Sequence, residues 1–312
     1  MRREERVAAG LSELERWLAD QIRQGIASAR QSGPADWDDL AKRLIDAQAP
    51  GVAGIVARLS GHLREDDWPE RLLAEYGLVH LLSVAYQRSA ELTPELRETV
   101  RSRVGFTVAR ERVLAQPPIR DVWDVIGARD EIQDRLISRR VWLHGRSTGR
   151  TALILTFTPV GQPVDPSTLT TLVTGAALDA DVTFYPGAAP LRALLAERYG
   201  VATPAPPAGV TVSEVPQLIA DALAGDPWLE SWPVILANVT PTNTAATDEP
   251  GQAWMLADAD SGAALPLHPA AGVPWRLLAV SGGRPVTVAT EWTPRGMRLL
   301  TTWDEDHRVV IL

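Results

Sequence analysis

The chain has 312 residues, an apolar fraction of 45% and a formal net charge of −8. That length fits two domains or one large mixed one, and that apolar content excludes disorder over the whole length. Cysteine is absent, which excludes a disulfide, a thiolate nucleophile or thiolate-bound zinc within the chain.

Residues 4–30 read as one long amphipathic helix, with Val7, Leu11, Leu14, Leu18, Ile22 and Ile26 at spacings of three and four. Gly33-Pro34 ends it. A second helix is expected from Asp36 to about Gln48, turning Trp37, Leu40, Leu44 and Ile45 inward, and Ala49-Pro50-Gly51 breaks it. A short helix follows through Val52, Ile55, Val56 and Leu59. Asp67-Trp68-Pro69-Glu70 is a start signal, with Asp67 placed to cap and Pro69 in the first turn. The helix it opens is apolar nearly all round, as a central, buried helix would be. Thr93-Pro94 opens another helix, and Gln116-Pro117-Pro118 closes the helical region.

The period then changes. Ile137–His144 and Thr151–Phe157 read as strands joined by Gly145-Arg146-Ser147-Thr148-Gly149-Arg150, and Val182–Tyr185 as a third. Pro186-Gly187 is expected to lead into a helix carrying Leu191, Leu194, Leu195 and Tyr199. Ser213 is expected to cap a helix through Leu218, Ile219 and Leu223. Further strands are expected at Val234–Val239, Ala253–Ala257, Trp275–Val280, Val286–Trp292, Leu299–Trp303 and Arg308–Leu312, in the pattern of an antiparallel sheet or small barrel. The fold expected is therefore α+β. A helical domain of residues 1–118 precedes a mixed, mainly antiparallel domain of residues 119–312, whose β-rich part is about 232–312.

Charge is uneven along the chain. Residues 1–100 hold 13 basic and 17 acidic groups, residues 101–150 hold 11 and 6, and residues 151–312 hold 7 and 16. The regional sums of −4, +5 and −9 recover the total. Lys42 is the only lysine among the 31 basic residues, which we read as genomic base composition. No run approaches the roughly 18 apolar residues of a membrane span. The mixed-charge start, Met1-Arg2-Arg3-Glu4-Glu5-Arg6, lacks the apolar stretch of a signal peptide. A cytoplasmic location is expected.

Glu5-Arg6-Val7-Ala8-Ala9-Gly10-Leu11, Leu14-Glu15-Arg16-Trp17-Leu18, Asp46-Ala47-Gln48-Ala49-Pro50-Gly51 and Trp68-Pro69-Glu70-Arg71-Leu72-Leu73 follow one another in the first half. Gly175-Ala176-Ala177-Leu178-Asp179-Ala180, Phe184-Tyr185-Pro186-Gly187 and Pro190-Leu191-Arg192-Ala193-Leu194 continue the series. Together these resemble the long region that follows the zinc finger in bacterial SWIM zinc-finger family proteins. That family's finger binds zinc through a Cys-x-Cys…Cys-x-His pattern, which this sequence cannot supply. The resemblance implies an accessory role beside MoxR-type AAA+ ATPases and von Willebrand A-domain proteins, by association only.

No catalytic residue, metal ligand set or cofactor site is expected. Gly145-Arg146-Ser147-Thr148-Gly149 matches G-x-S-x-G, but a nucleophile elbow needs a helix after the serine and a strand follows here, so a polar hairpin loop is the better reading. Arg139, Arg140, Arg146 and Arg150, with His144, gather around this hairpin as candidate contacts for an anion or nucleic acid. The plain alternative is a solvated hairpin, its arginines paired to Asp130, Glu131 or Asp134. His80 reads as a satisfied core residue. Asp258-Ala259-Asp260-Ser261-Gly262 and Asp304-Glu305-Asp306-His307 read as turns. Trp254, Trp275, Trp292 and Trp303 are expected in strands, as core packing or as the lining of a peptide groove. The function expected is a non-enzymatic adaptor working through protein contacts. The alternative is a nucleic-acid-associated protein using the arginine hairpin at 139–150.

Overall fold

The computed structural model describes residues 2–30, 34–133, 136–161, 172–243 and 254–312. Gly33, Asp134, Ala253 and residues 244–250 lie outside them. The described chain divides into two units. The first comprises residues 1–109 with two later segments, 186–189 and 225–228; the second holds the rest.

The first unit is helical: α1 (Arg2–Gln24), α2 (Pro34–Asp46), α3 (Pro50–His62), α4 (Trp68–Gln87) and α5 (Pro94–Val104). The long first helix ends at Gln24, because Gly25 takes a left-handed conformation (φ 87°) and a 3-10 turn, Ile26–Arg30, follows. Val7, Leu11, Leu14 and Leu18 face the core, while Ile22 and Ile45 are exposed. Trp17, Trp37 and Tyr76 form its aromatic centre, with ring centroids 5.2–6.2 Å apart. Gly51 sits where any Cβ would strike the Arg103 carbonyl, so α3 and α5 cross at backbone contact. The start of α4 is as the sequence predicts, but Asp67 binds the Arg71 guanidinium instead of capping. Nor is α4 buried all round: Leu73 and Leu81 are exposed. Thr93 does cap α5, its hydroxyl accepting from the Leu96 amide. The later segments close over this bundle. Arg103 forks onto Asp226 (2.5–3.1 Å), the Trp228 indole donates to the Leu78 carbonyl (2.8 Å), and the Ala188 amide donates to Thr99.

The second unit opens with the short helix α6 (Arg110–Leu114) and continues with β1 (Ile119–Gln133), β2 (Leu136–Gly145), β3 (Thr151–Pro159), β4 (Ala177–Phe184) and β5 (Arg192–Ala202). These strands close into a barrel in the order β1-β2-β3-β5-β4, with β3 and β5 parallel and β4 returning to β1. That order, with a long first strand bent at mid-length to serve both sides, is that of the OB-fold. The bend is a bulge at Ile126, between Val125 and Gly127.

The second sheet has six strands in the order β11-β10-β9-β6-β7-β8. Its members are β6 (Trp232–Asn243), β7 (Trp254–Asp258), β8 (Ala264–Pro266), β9 (Val286–Thr293), β10 (Gly296–Trp303) and β11 (Val309–Ile311). Two helices accompany it, α7 (Val215–Gly225) and α8 (Trp275–Ser281).

Two elements differ in type from expectation. Residues 192–202 are a strand, not a helix, and residues 275–281 a helix, not a strand. The α7 start is also one turn earlier in its chemistry: Glu214 reaches back to the amide and hydroxyl of Thr211, and Ser213 is not the cap.

Barrel and sheet pack face to face. Alternation in β1–β3 sends Val141, Leu143, Ala152 and Ile154 into the barrel. It sends Trp142 and Leu153 outward against Ile235, Ala289, Leu300 and Trp303 of the sheet. Gly127 gives room for this approach, since a Cβ there would lie 2.8 Å from Leu300 Cβ. The bulge frees the Ile126 carbonyl, and the Thr301 hydroxyl donates to it at 2.6 Å.

Candidate functional site

The four arginines singled out in the sequence stand in four separate settings. Arg139 ion-pairs with Asp130 (3.3 Å). Arg140, one residue on and therefore on the opposite face, contacts Glu291 (3.4 Å) and donates to Ser231 (2.9 Å). Arg146 forks onto Asp124 (2.7 and 2.8 Å) and donates to the Thr203 carbonyl. Arg150 lies 4.3 Å from the centre of the Phe184 ring. At 3.4 Å per residue, Arg139 and Arg140 are about 20 Å along the strand from Arg146 and Arg150. The structure does not bring them together.

The G-x-S-x-G segment is the expected hairpin loop. Buried Asp121 holds it, accepting from the Ser147 and Thr148 amides and the Thr148 hydroxyl at 2.8–3.1 Å. Burial raises the Asp121 pKa, but these donors together outweigh it and leave the carboxyl below its ordinary range. Asp258 and Asp304 bind turn amides in the same manner. His80 is not in the core: it is exposed on α4, its Nδ1 2.7 Å from the Glu15 carboxylate. Among the described residues, no three His, Asp or Glu side chains converge as a metal site.

The arrangement with chemical character lies elsewhere, in a pocket of about 570 Å³ lined by β1, β10, α8 and the segment before α8. Its shape follows from local rules. The His268 Nδ1 accepts from the Ala270 amide and starts a 3-10 turn at Pro269. Gly272 (φ 61°, ψ −152°) redirects the chain through a conformation open to glycine, Pro274 precedes α8, and Gly282 ends it in the left-handed region. The seven-residue helix buries Leu277 and leaves Trp275 72% exposed at the pocket rim. Arg276 is beside it, donating to the Ile311 carbonyl (3.1 Å).

Beneath the pocket lies Glu291 of β9, with no solvent exposure. Three guanidinium groups surround its carboxylate: Arg129 at 2.7 Å, Arg140 at 3.4 Å and Arg298 at 3.8 Å. Arg129 and Arg140 are directly opposed across β1 and β2, a repulsive pairing that the glutamate between them offsets. Arg129 also pairs with Glu131 (2.9 Å). The His268 pKa is lowered, first by burial and then by the fields of Arg298, Arg295 and Arg129. Its Nδ1 faces the Ala270 amide at 3.1 Å and its Nε2 stands 3.3 Å from the Arg298 guanidinium.

The comparisons with known proteins bear on the helical unit. Residues 2–104 match SWIM_C, the SWIM-associated four-helix bundle domain. The resemblance to the region downstream of the SWIM finger therefore holds over α1–α5, and the motifs between residues 175 and 194 lie outside the match. Zinc of the SWIM kind does not fit this sequence, which has no cysteine to ligate it. No curated protein and no solved structure matches the chain. No helix among the described residues is long and apolar enough to cross a membrane.

The pocket residues Arg129, His268, Trp275, Arg276 and Arg298, and Glu291 bound to two of these arginines, are spread along the chain. The sequence signal available was slight: one of the tryptophans considered for a peptide groove, Trp275, flanked by proline and arginine.

Proposed function

We propose that the chain is a non-enzymatic accessory or adaptor protein of a bacterial cytoplasm, acting through contacts with other proteins. The make-up of the pocket supports this reading. It offers groups that recognise, namely arginines, an exposed indole and aliphatic walls. Both ring nitrogens of its histidine already have neighbours, the Ala270 amide and the Arg298 guanidinium, and the buried glutamate beside it is engaged by three cations. For the partner we propose a MoxR-type AAA+ ATPase with its von Willebrand A-domain companion, on the SWIM-associated character of the bundle.

The nucleic-acid alternative has less to rest on. Each of Arg139, Arg140, Arg146 and Arg150 already has an internal partner. The outer face of β2 and β3, where OB barrels take oligonucleotides, carries Trp142 and Leu153 under the six-stranded sheet. The test is size-exclusion chromatography with light scattering. The purified chain is mixed at micromolar concentration with the ATPase and the von Willebrand A-domain protein of the same genome. Co-elution at a defined stoichiometry is expected with at least one. Separate elution of all three removes the partner assignment.

A further inference from the structure

We infer that the pocket between β1, β10 and α8 takes a short acidic segment of a partner protein: one carboxylate side chain set among Arg129, Arg276 and Arg298, with a neighbouring aliphatic side chain against Val273, Pro274 and Trp275. This rests on the protein-contact reading above and deepens it. Charge complementarity carries it. Of the side chains that line the cavity, Arg129, Arg276 and Arg298 against Glu131 leave two positive charges in excess. Each guanidinium has five N–H donors. Arg276, on an exposed helix face, gives one to Ile311. Among the described residues Arg298 makes only long contacts, 3.3 Å to His268 and 3.8 Å to Glu291, so they satisfy its fork poorly.

The remaining walls are aliphatic, and the volume of about 570 Å³ suits a few residues of an extended segment. An indole that is 72% exposed beside such walls is the kind of side chain that anchors an interface. Single-stranded nucleic acid would instead call for successive stacking platforms along a basic track. Here the residues that line the pocket include a single indole, Trp275.

The experiment is selection of phage-displayed random dodecapeptides on the full chain, followed by fluorescence anisotropy with end-capped synthetic copies. Enriched peptides are expected to share Asp or Glu beside Leu, Ile or Val. Changing that Glu to Gln is expected to weaken binding about tenfold, as are Trp275→Ala and Arg276→Gln in the protein. Both variants alter exposed side chains, and circular dichroism checks that they fold. Four results would each overturn the inference: no enrichment, enriched peptides without an acidic residue, binding indifferent to both variants, or a labelled dT12 strand whose binding the same variants abolish. The two proposals fail separately. If the ATPase partner co-elutes equally with both variants, the pocket inference fails and the adaptor reading stands. If the peptides behave as stated but neither partner co-elutes, the partner assignment fails and the pocket stands.

Discussion

Glu291→Gln is the most informative single change, because it keeps the shape of a side chain with no solvent exposure and removes only its charge. Three guanidinium groups then face one another with a neutral amide between them, Arg129 and Arg140 in direct cross-strand opposition. Removing one partner of a buried ion pair costs about 3–5 kcal/mol. The arginine side chains here keep 21–36% of their exposure, so water relieves part of the repulsion and about 2–3 kcal/mol is the expected cost. That corresponds to a roughly 30- to 150-fold rise in the opening equilibrium. Since the chain has two units, a single melting temperature would mix two transitions. Native-state hydrogen exchange read by mass spectrometry on peptides from β6, β9 and β10 isolates the sheet. Acceleration of the slowest β9 amides within that range is expected. A change below about threefold, or strict additivity with Arg140→Gln, would show that Glu291 does not hold the cations together.

Three further changes probe the fold of the second unit. Thr301→Val keeps the volume but removes the donor to the Ile126 carbonyl, leaving a buried acceptor unsatisfied. A loss of about 1–3 kcal/mol in urea unfolding is expected, and no loss would mean the bulge is satisfied some other way. Gly127→Ala places a Cβ 2.8 Å from Leu300 Cβ, and the overpacking is expected to cost about 1–3 kcal/mol by the same assay; Gly127→Ala combined with Leu300→Ala should recover part of it. His144 is held below the ordinary histidine value of 6.5, mainly by burial and against the pull of Asp124 and Asp121. The unfolded chain therefore takes up a proton first as pH falls through about 6.5, and stability drops until the folded state protonates too. His144→Gln is expected to shrink the difference in urea midpoint between pH 8 and pH 5.5, and an unchanged difference would remove His144 as its source.

The bundle was legible because its helices are long enough for a stripe to declare itself: Val7, Leu11, Leu14 and Leu18 are buried at the predicted spacing. The misread elements are those whose local pattern is ambiguous. Leu191, Leu194, Leu195 and Tyr199 fall at helical spacings, yet the chain from 192 to 202 is claimed by β4 and β3, a long-range pairing that outweighs local periodicity. Trp275–Ser281 is a short apolar run that periodicity cannot assign. Pro274 before it and Gly282 after it were the helix signals. The strand β1 escaped notice because the bulge at Ile126 shifts the alternation half-way, and Gly127 reads as a loop. The pocket was barely legible, since Arg129 of β1, Arg276 of α8 and Arg298 of β10 come from distant parts of the chain that no local pattern spans.

The covering of the barrel explains why the charged residues most visible in the sequence are poor candidates for binding. On an open OB barrel, an arginine pair such as Arg129 and Arg140, flanking a tryptophan on the outer face, would meet a phosphate backbone. Here both guanidinium groups lie within 5.6 Å of the Trp142 ring, and β9 supplies the anion they lack in the form of Glu291. The sheet thus covers the outer face of β2 and β3 and neutralises the arginine pair on it. Where that cover ends, Arg129 contacts Glu291 and also reaches the cavity wall, where Arg298 and Arg276 join it. The protein-contact role proposed above is accordingly assigned to the edge of the barrel–sheet interface, where the pocket lies. Arginines made conspicuous by their crowding in sequence are the ones the fold has already paired.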